Sequence, residues 1–458
     1  MRWRALLAVL LVTACGASLP TAARVPLRAP LPPPPASAEP APEAPVVLSG
    51  PPQYRALWVD AFHAGIRSKA EVDQLIKRAH EGNINALFVQ VRRAGDAYFL
   101  RGVEPEVDDS DLAPPPYDAL AYVLYRAHTA NPPIEVHAWM NTFYVGNQSQ
   151  VQRYYRSQWG QRTDDGTAGP YLDPGAPGAR AYTQEVFSEV VRRYPVDGVH
   201  MDFVRYPEGG NWGYSPDGIA AFNQATGRSG SPDPNDPAFQ QWRRDQVTAL
   251  VKGVHDAVKR IRPSVKVSAA LIAYGPGPKS LDDWHRSRSY NEVYQDWVTW
   301  MAEGYLDLAL VMNYDRDSSP SQHQWYRDWI EFEKDHQGQA RLLVGVGAFD
   351  NYPEDTFAQV QAALTPSASG NTPLGVAIYS YASTSLYGTD DFYLHPDDQG
   401  YLPRQPYAPD RSPAALAARA AQFNGWFWTA LSQPSSYTDP ALGTVSTRPV
   451  FTAPVGVP

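Results

Sequence analysis

The sequence has almost no cysteine and comparatively few charged side chains. Cys15 is the only cysteine among 458 residues, which excludes a disulfide bond within the chain. None of the ten histidines stands in an HxH, HxxxH or HExxH spacing, so a metal-dependent hydrolase is disfavoured. Charged residues make up only 19% and the net charge is −9, which argues against nucleic acid as a partner. We predict no cofactor and no resident metal.

Long apolar runs are also missing, apart from a short one at the N-terminus. Arg2 and Arg4 precede the apolar residues 5–12, the pattern of a signal peptide over residues 1–14. The run is well short of the roughly 20 residues that a membrane-spanning helix needs. Small residues stand directly before Cys15, as in a bacterial lipobox, so we predict that Cys15 is lipidated. The alternative is an ordinary signal peptide that happens to contain a cysteine.

Proline and alanine dominate residues 15–52, with four consecutive prolines at 32–35. Such a segment favours extended polyproline II and cannot bury a core. We expect it to tether a domain to the membrane of a bacterial cell envelope. Gly16 rather than Asp after the cysteine fits an outer membrane, with the protein facing the periplasm. The remaining chain divides into a domain at 53–435 and a C-terminal tail at 436–458.

Short apolar runs alternate with helical patterns across this domain. Eight runs have the character of strands, at 55–62, 86–92, 134–142, 198–205, 265–273, 306–314, 342–349 and 375–382. Eightfold alternation predicts a single (β/α)8 barrel, the TIM-barrel fold of the α/β class. The remaining length lies in long βα loops at 93–117, 143–179 and 206–240. Such loops follow the C-terminal ends of the strands, and at that end of a barrel they build substrate clefts.

The predicted fourth strand carries ionisable side chains on one face only. Val199 and Met201 fall on one side of it, and His200 and Asp202 fall on the other. A carboxylate near the C-terminal end of a parallel strand lies where barrel enzymes keep their catalytic groups. Asp202 is therefore the first catalytic candidate. The alternative is a satisfied buried carboxylate that holds a loop.

Polar side chains end several other predicted strands. In a barrel these side chains would converge at the C-terminal ends of the strands, which we call the mouth. Packing alone hardly explains such convergence, because burying an unpaired polar group costs free energy. A polar network that fills a wide barrel is the alternative. The residues at these ends are Asp60, Arg92, His137, Trp139, Asn141, Asn313, Tyr314, Asp315 and Tyr381.

Several segments resemble one known family, in the same order along the chain. They are Arg55–Asp60, Asn85–Arg92, Gly95–Tyr98, Glu135–Asn141, Asp197–Asp202 and the pair Trp242-Arg243. On these residues the chain resembles the glycosyl hydrolase-like 10 family, related to bacterial lipoproteins that cleave denuded peptidoglycan glycan strands. The resemblance covers about residues 54–385 and implies a TIM-barrel glycosidase with Asp202 as its catalytic residue. Many members carry a second Asp directly after that one, where this chain has Phe203.

Glycoside cleavage generally uses two carboxyl groups, one of which protonates the leaving oxygen. We assign Asp202 as nucleophile or base. Asp315 is the preferred acid, followed by Asp60 and Glu208, although each could instead cap a loop or form a salt bridge.

Other side chains near the mouth are expected to bind the glycan. Arg92 and Arg205 could meet the carboxylate of a muramic acid or simply neutralise Asp202, and aromatic side chains could equally belong to the core. The predicted substrate-binding residues are Arg92, His137, Trp139, Asn141, His200, Arg205, Asn313, Tyr314 and Tyr381. We expect the substrate to be peptide-free peptidoglycan; a catalytically inactive glycan-binding lipoprotein and a metal-dependent deacetylase are the alternatives.

Overall fold

The computed structural model describes residues 48–147, 156–388, 412–439 and 441–458. The predicted signal peptide, Cys15 and most of the predicted tether lie outside these residues. Within the described ranges, no helix combines the length and the apolar character needed to cross a membrane.

Eight parallel strands close into a barrel, which confirms the predicted fold and all eight predicted strands. They are β1 Tyr54–Val59, β2 Ala86–Arg92, β3 Glu135–Asn141, β4 Gly198–Asp202, β5 Lys266–Ile272, β6 Leu308–Met312, β7 Arg341–Gly347 and β8 Gly375–Tyr379. Each strand pairs with its neighbours in sequence, and β8 pairs with β1 to close the ring. β4 ends at Asp202 rather than at 205, because Phe203 adopts a left-handed backbone conformation with φ of 49°.

Helices pack around this barrel. They are α1 Lys69–Glu81, α2 Ala119–His128, α3 Pro177–Arg193, α4 Pro216–Thr226, α5 Pro237–Ile261, α6 Leu281–Trp284, α7 Arg288–Asn291, α8 Trp297–Ala302, α9 Pro320–Asp335, α10 Pro353–Leu364 and α11 Pro413–Ser432. Two short 3₁₀ helices add Ala348–Asp350 and Leu386–Gly388. The helix α1 begins at Ser68, whose hydroxyl oxygen accepts the Glu71 N–H at 3.3 Å and so satisfies one free donor of the first turn.

The barrel interior is filled by side chains, many of them aromatic. Its buried apolar members are Tyr54, Ala56, Trp58, Ala86, Phe88, Trp139, Leu308, Leu310, Leu343 and Ala377. Gly198 makes room for one polar ring in this interior, because a Cβ there would lie 2.0 Å from Nδ1 of His137. A larger apolar layer joins the outer face of the strands to the helices. The barrel is therefore a packed core, and any substrate must bind at one of its ends.

The three predicted long loops lie at the C-terminal ends of β2, β3 and β4, as expected. The loop after β3 contains a small antiparallel sheet of Gly160–Arg162 with Ala168–Leu172. The loop after β4 contains helix α4 before the long helix α5 begins. These insertions surround one mouth of the barrel.

The segment that was predicted as a C-terminal tail first packs against the outer helices α10 and α11, where the Tyr437 hydroxyl donates to Glu354, and then reaches the opposite end of the barrel. It forms a hairpin of Ser435–Asp439 with Gly443–Thr447. After the hairpin, the Gly456 carbonyl accepts the Gln53 N–H at 3.1 Å. A surface depression of about 540 Å³ lies at this end, where Tyr54 and Arg341 contribute to its lining. It is separate from the strand tips that carry the candidate catalytic groups.

Candidate active site

Asp202 ends β4, and hydrogen-bond donors hold both of its carboxylate oxygens. Trp139 Nε1 donates to Oδ2 at 3.1 Å, and the Phe203 backbone N–H donates to Oδ1 at 2.6 Å. The residue is only 6% exposed. Burial raises the pKa of Asp202, and the positive charge of Arg205 offsets this only in part. A carboxyl with a raised pKa is suited to proton transfer near neutral pH.

Arg205 lies between two carboxylates at the mouth. Its Nη1 is 3.4 Å from Oδ1 of Asp202, and its Nη2 is 3.6 Å from Oε1 of Glu208. The Glu208 side chain is 49% exposed and also accepts a hydrogen bond from the Tyr274 hydroxyl. The guanidinium carbon stands 4.5 Å from the centroid of the Phe203 ring, which gives a cation–π contact. One buried and one open carboxyl group are thus held on either side of one guanidinium.

Stacked tyrosines line the mouth beside Asp202. The rings of Tyr314 and Tyr379 stack with centroids 5.4 Å apart. Burial raises the pKa of both phenols, and the charge of Asp202 raises both further. The prediction that Tyr314 lines the mouth agrees with these contacts. Tyr379 was not selected from the sequence, although it ends the eighth strand and its position there was the available signal.

His200 lies one layer below Asp202 and is fully buried. Trp58 Nε1 donates to its Nε2 at 3.1 Å, and its Nδ1 is 3.0 Å from the Ser268 hydroxyl. Because an indole N–H can only donate, Nε2 is the unprotonated nitrogen and Nδ1 donates to Ser268. Burial lowers the pKa of His200 well below its usual range. His200 is therefore a neutral group that orients Trp58 from below the mouth.

The prediction that His137 faces the mouth is wrong. Its Nε2 is 3.3 Å from Oε2 of Glu135, the first residue of β3, and its ring stacks on Phe88 at 4.3 Å. Trp139 lies two positions further along this extended strand, a rise of about 7 Å. His137 is thus part of the barrel interior near its N-terminal end.

Arg92 is also unavailable to a substrate, which corrects its predicted role. Its Nε and Nη2 each stand 2.6 Å from a carboxylate oxygen of Glu104, and the pair is buried. The register of β2 shifts between Gln90 and Arg92, so simple alternation fails there. Both polar atoms of the Asn141 side chain, at the tip of β3, also bond within the protein, since Oδ1 accepts from Gln90 at 3.1 Å and Nδ2 donates to the Arg93 carbonyl at 2.6 Å.

The prediction that Asn313 and Asp315 face Asp202 does not match their contacts. Asn313 Nδ2 donates to Oε1 of Glu333 on α9 at 2.7 Å, so this amide points towards the helices. β6 has already ended at Met312, and the alternation of side chains cannot be carried further along the chain. Burial, and then the charge of Asp350, raises the pKa of Asp315 to about 8. The carboxyl group of Asp315 therefore lies near that of Asp350, in the 3₁₀ helix that follows β7.

Asp60 does lie at the mouth, at the tip of β1. Its Oδ1 accepts the backbone N–H groups of Phe62 and His63 at 3.0 and 3.1 Å. Its Oδ2 is buried and has no hydrogen-bond partner among the described residues. Tyr381, which was predicted to bind substrate or else to belong to the core, stacks on Trp428 of α11 at 5.7 Å, in the outer layer.

Among the described residues, no three His, Cys, Asp or Glu side chains come together as a possible metal site. The candidate site consists of carboxylates, one guanidinium and aromatic rings.

Comparison with known proteins identifies the family. The profile of the glycosyl hydrolase-like 10 family matches residues 53–349. The chain belongs to this family. It is 29% identical to glycosyl hydrolase YngK of Bacillus subtilis over 266 residues, which cover 54% of this chain and 49% of YngK. It is 28% identical to glycosyl hydrolase DigH of Escherichia coli over 319 residues, 62% of this chain and 67% of DigH. The chain thus spans only about half the length of YngK.

A solved structure supports the barrel fold. The glycoside hydrolase domain of PgaB (BpsB) from Bordetella bronchiseptica superposes with a TM-score of 0.55 at 17% identity. The match covers 73% of this chain and 99% of that domain.

Phe203 occupies the position at which the resemblance described above implies a second Asp. Its ring packs against Tyr144 at 5.3 Å and Tyr171 at 6.0 Å, in the loop after β3. The position has thus become part of an aromatic wall of the mouth. Glu208, six residues after Asp202 in the sequence, contacts the same guanidinium as Asp202, that of Arg205.

Proposed function

We propose that this protein is a glycoside hydrolase that cleaves peptide-free peptidoglycan, a β-linked amino-sugar polymer. The arrangement of Asp202, Arg205 and Glu208 carries the proposal, because it supplies two carboxyl groups in different environments at the substrate-binding end of a barrel. Membership of a family with glycosyl hydrolase relatives supports hydrolysis of a glycan. The choice of polymer rests on the resemblance described above and on the predicted export to the cell envelope.

We assign the proton-donating role to Asp202 and the role of base or nucleophile to Glu208. Burial raises the pKa of Asp202, which favours the protonated form that a general acid needs. Glu208 is half-exposed beside Arg205, where a carboxylate remains accessible to water or to the substrate. This assignment reverses the role expected for Asp202 from the sequence and moves the partner role from Asp315 to Glu208.

Incubation of the full-length protein with purified glycan strands tests the activity. The strands are supplied with and without stem peptides, and products are followed by new reducing ends and by mass spectrometry. We expect cleavage of peptide-free strands by the wild-type protein and none by Asp202→Asn.

Two results would favour the alternatives. Glycan that is bound but never cleaved would favour a binding lipoprotein, for which Phe203 in place of the second Asp is the supporting observation. Release of acetate that is abolished by a chelator would instead favour a metal-dependent deacetylase.

We also propose that Cys15 is lipidated and anchors the protein in the outer membrane, facing the periplasm. The short apolar run before Cys15 and the proline-rich segment after it support this location. The acidic net charge supports a glycan rather than nucleic acid as the partner.

A further inference from the structure

The loop after β1 exposes an aromatic ring at the mouth. Phe62 is 54% exposed, although its backbone is fixed on both sides. Its N–H donates to Oδ1 of Asp60 at 3.0 Å, and its carbonyl accepts from Arg67 Nη2 at 3.1 Å. The loop is held further by Glu71, whose Oε2 accepts the N–H groups of Gly65 and Arg67 at 2.7 and 2.9 Å. These bonds fix the backbone that carries the ring, so the ring projects from a defined place on the loop.

Arg93 lies beside this ring and has no carboxylate within 4 Å among the described residues, although its charge is one of those that lower the pKa of Asp109 after burial and hydrogen bonding. Its guanidinium carbon is 5.6 Å from the Phe62 ring centroid and 5.7 Å from that of Tyr98. Its Nη1 approaches the Ala61 carbonyl at 3.4 Å. A guanidinium carries five N–H donors, so most of them remain available to a ligand. By contrast, Arg205 at the same mouth is paired with carboxylates.

His63 adds a second exposed ring to the same loop. Its side chain is 55% exposed, and its Nδ1 is 2.8 Å from Oδ1 of Asp60. The hydrogen bond to Asp60 raises the pKa of His63, which favours its positively charged form. The other oxygen of Asp60, Oδ2, is buried and has no hydrogen-bond partner in the described part of the chain. An isolated exposed apolar residue would need no explanation, but here a fixed ring, an unpaired guanidinium and a histidine occur together.

We propose that Phe62, His63 and Arg93 form a subsite that binds a carboxylate-bearing pyranose unit of the glycan. The Phe62 ring offers a flat apolar surface for a sugar face. The Arg93 guanidinium matches a carboxylate geometrically and can bind it through two parallel hydrogen bonds.

This subsite lies across the mouth from Asp202. In the closed ring of strands, β1 and β4 are separated by β2 and β3 on one side and by β5 to β8 on the other, so the loop after β1 faces the end of β4 across the mouth. The subsite would therefore hold a sugar displaced from the scissile bond. The inference rests on the proposed function for its substrate class, but it uses none of the groups assigned to the chemistry.

Binding without turnover tests the subsite. Calorimetric titration uses the full-length Asp202→Asn protein with two tetrasaccharides, a peptide-free one that contains muramic acid and uncharged chitotetraose. We expect the carboxylated ligand to bind more tightly. A further Arg93→Gln change should weaken its binding by about tenfold, the effect of losing a charge-assisted hydrogen-bond pair, and should change chitotetraose binding by less than about twofold.

Two further variants complete the experiment. Phe62→Ala should weaken binding of both ligands, because both lose the same apolar surface. Arg341→Gln, an exposed site at the opposite end of the barrel, is the matched control and should change neither.

Equal losses for the two ligands in Arg93→Gln, or no loss, would overturn the subsite. Equal affinity of the Asp202→Asn protein for the two ligands would overturn the subsite as well. An absence of hydrolysis by the wild-type protein would count against the proposed function instead, because the titration needs no turnover.

Discussion

Trp139 donates its indole N–H to Oδ2 of Asp202 at 3.1 Å, from one barrel strand to the next. In the strand register Trp139 pairs with His200, and Asn141 pairs with Asp202. The indole thus reaches along β4 by two residues to hold the carboxylate. With the Phe203 N–H on the other oxygen, the carboxyl group has one fixed orientation at the mouth.

Replacing Asp202 by Asn should abolish glycan cleavage while leaving the fold intact. The substitution keeps the size of the side chain but removes proton transfer, so kcat should fall by about a thousandfold or more. Asn can accept only one of the two N–H groups that hold the carboxylate, and Arg205 keeps only Glu208 as its ion-pair partner, so the variant should stay folded with a melting temperature a few degrees lower. Release of reducing ends and thermal unfolding measure the two effects. A variant with the wild-type rate would remove Asp202 from the mechanism.

Glu208→Gln should lower activity by about 10²- to 10⁴-fold, the usual range for loss of a general acid or base. Glu208 is half-exposed, and its loss leaves Arg205 paired with Asp202, so stability should change little. The assay is the same release of reducing ends from peptide-free strands. Glu292→Gln is the control, because Glu292 accepts the N–H of Gly209, next to Glu208, and pairs with Arg288 outside the proposed site. If both variants keep full activity, Glu208 is not the partner of Asp202.

Asp315→Asn should act on stability rather than on catalysis. The folded protein raises the pKa of this carboxyl from 3.8 to about 8, so between these values it binds a proton that the unfolded chain releases. Stability therefore falls as pH rises from about 4 to 8. Asn removes this dependence, so the variant should melt a few degrees higher at pH 8 and similarly to wild type at pH 4. A loss of activity as large as that of Asp202→Asn would restore Asp315 as the acid.

The barrel fold and the inward position of Asp202 were predictable, because both follow from the periodic pattern of apolar and polar residues. Eight apolar runs separated by helical patterns allow few other folds, and the alternation within β4 places His200 and Asp202 on the inner face. The inner position of Trp139 followed from the same rule. These residues lie inside regular strands, where side-chain direction depends only on sequence parity.

The errors arose where the strands stop being regular. Asn313 follows the end of β6, and Arg92 follows a register shift in β2, so parity misplaced both. His137 has the correct parity, but parity says nothing of depth within the barrel. The subsite around Phe62 and Arg93 depends on loop hydrogen bonds, for which the sequence has no periodic signal.

Cys15→Ser should release the protein from membranes. A lipid on the mature N-terminal cysteine would be the anchor, since the apolar run that precedes Cys15 is too short to span a bilayer. Cell fractionation followed by detection of the protein tests this, with an Asp202→Asn protein as the control that should remain with membranes. A Cys15→Ser protein that still fractionates with membranes would contradict the anchor.

Trp139→Phe distinguishes the two possible roles of Asp202. Phenylalanine keeps an aromatic ring but removes the N–H that stabilises the charged carboxylate, so the pKa of Asp202 should rise further. If Asp202 donates the proton, activity requires its protonated form, and the alkaline limb of the kcat/KM profile should move to higher pH. If Asp202 is the base or nucleophile, the acidic limb should move instead. Trp58→Phe is the matched control, because its N–H is bound to neutral His200 and neither limb should move. A Trp139→Phe profile that coincides with that of the wild type would show that this hydrogen bond does not set the protonation of Asp202.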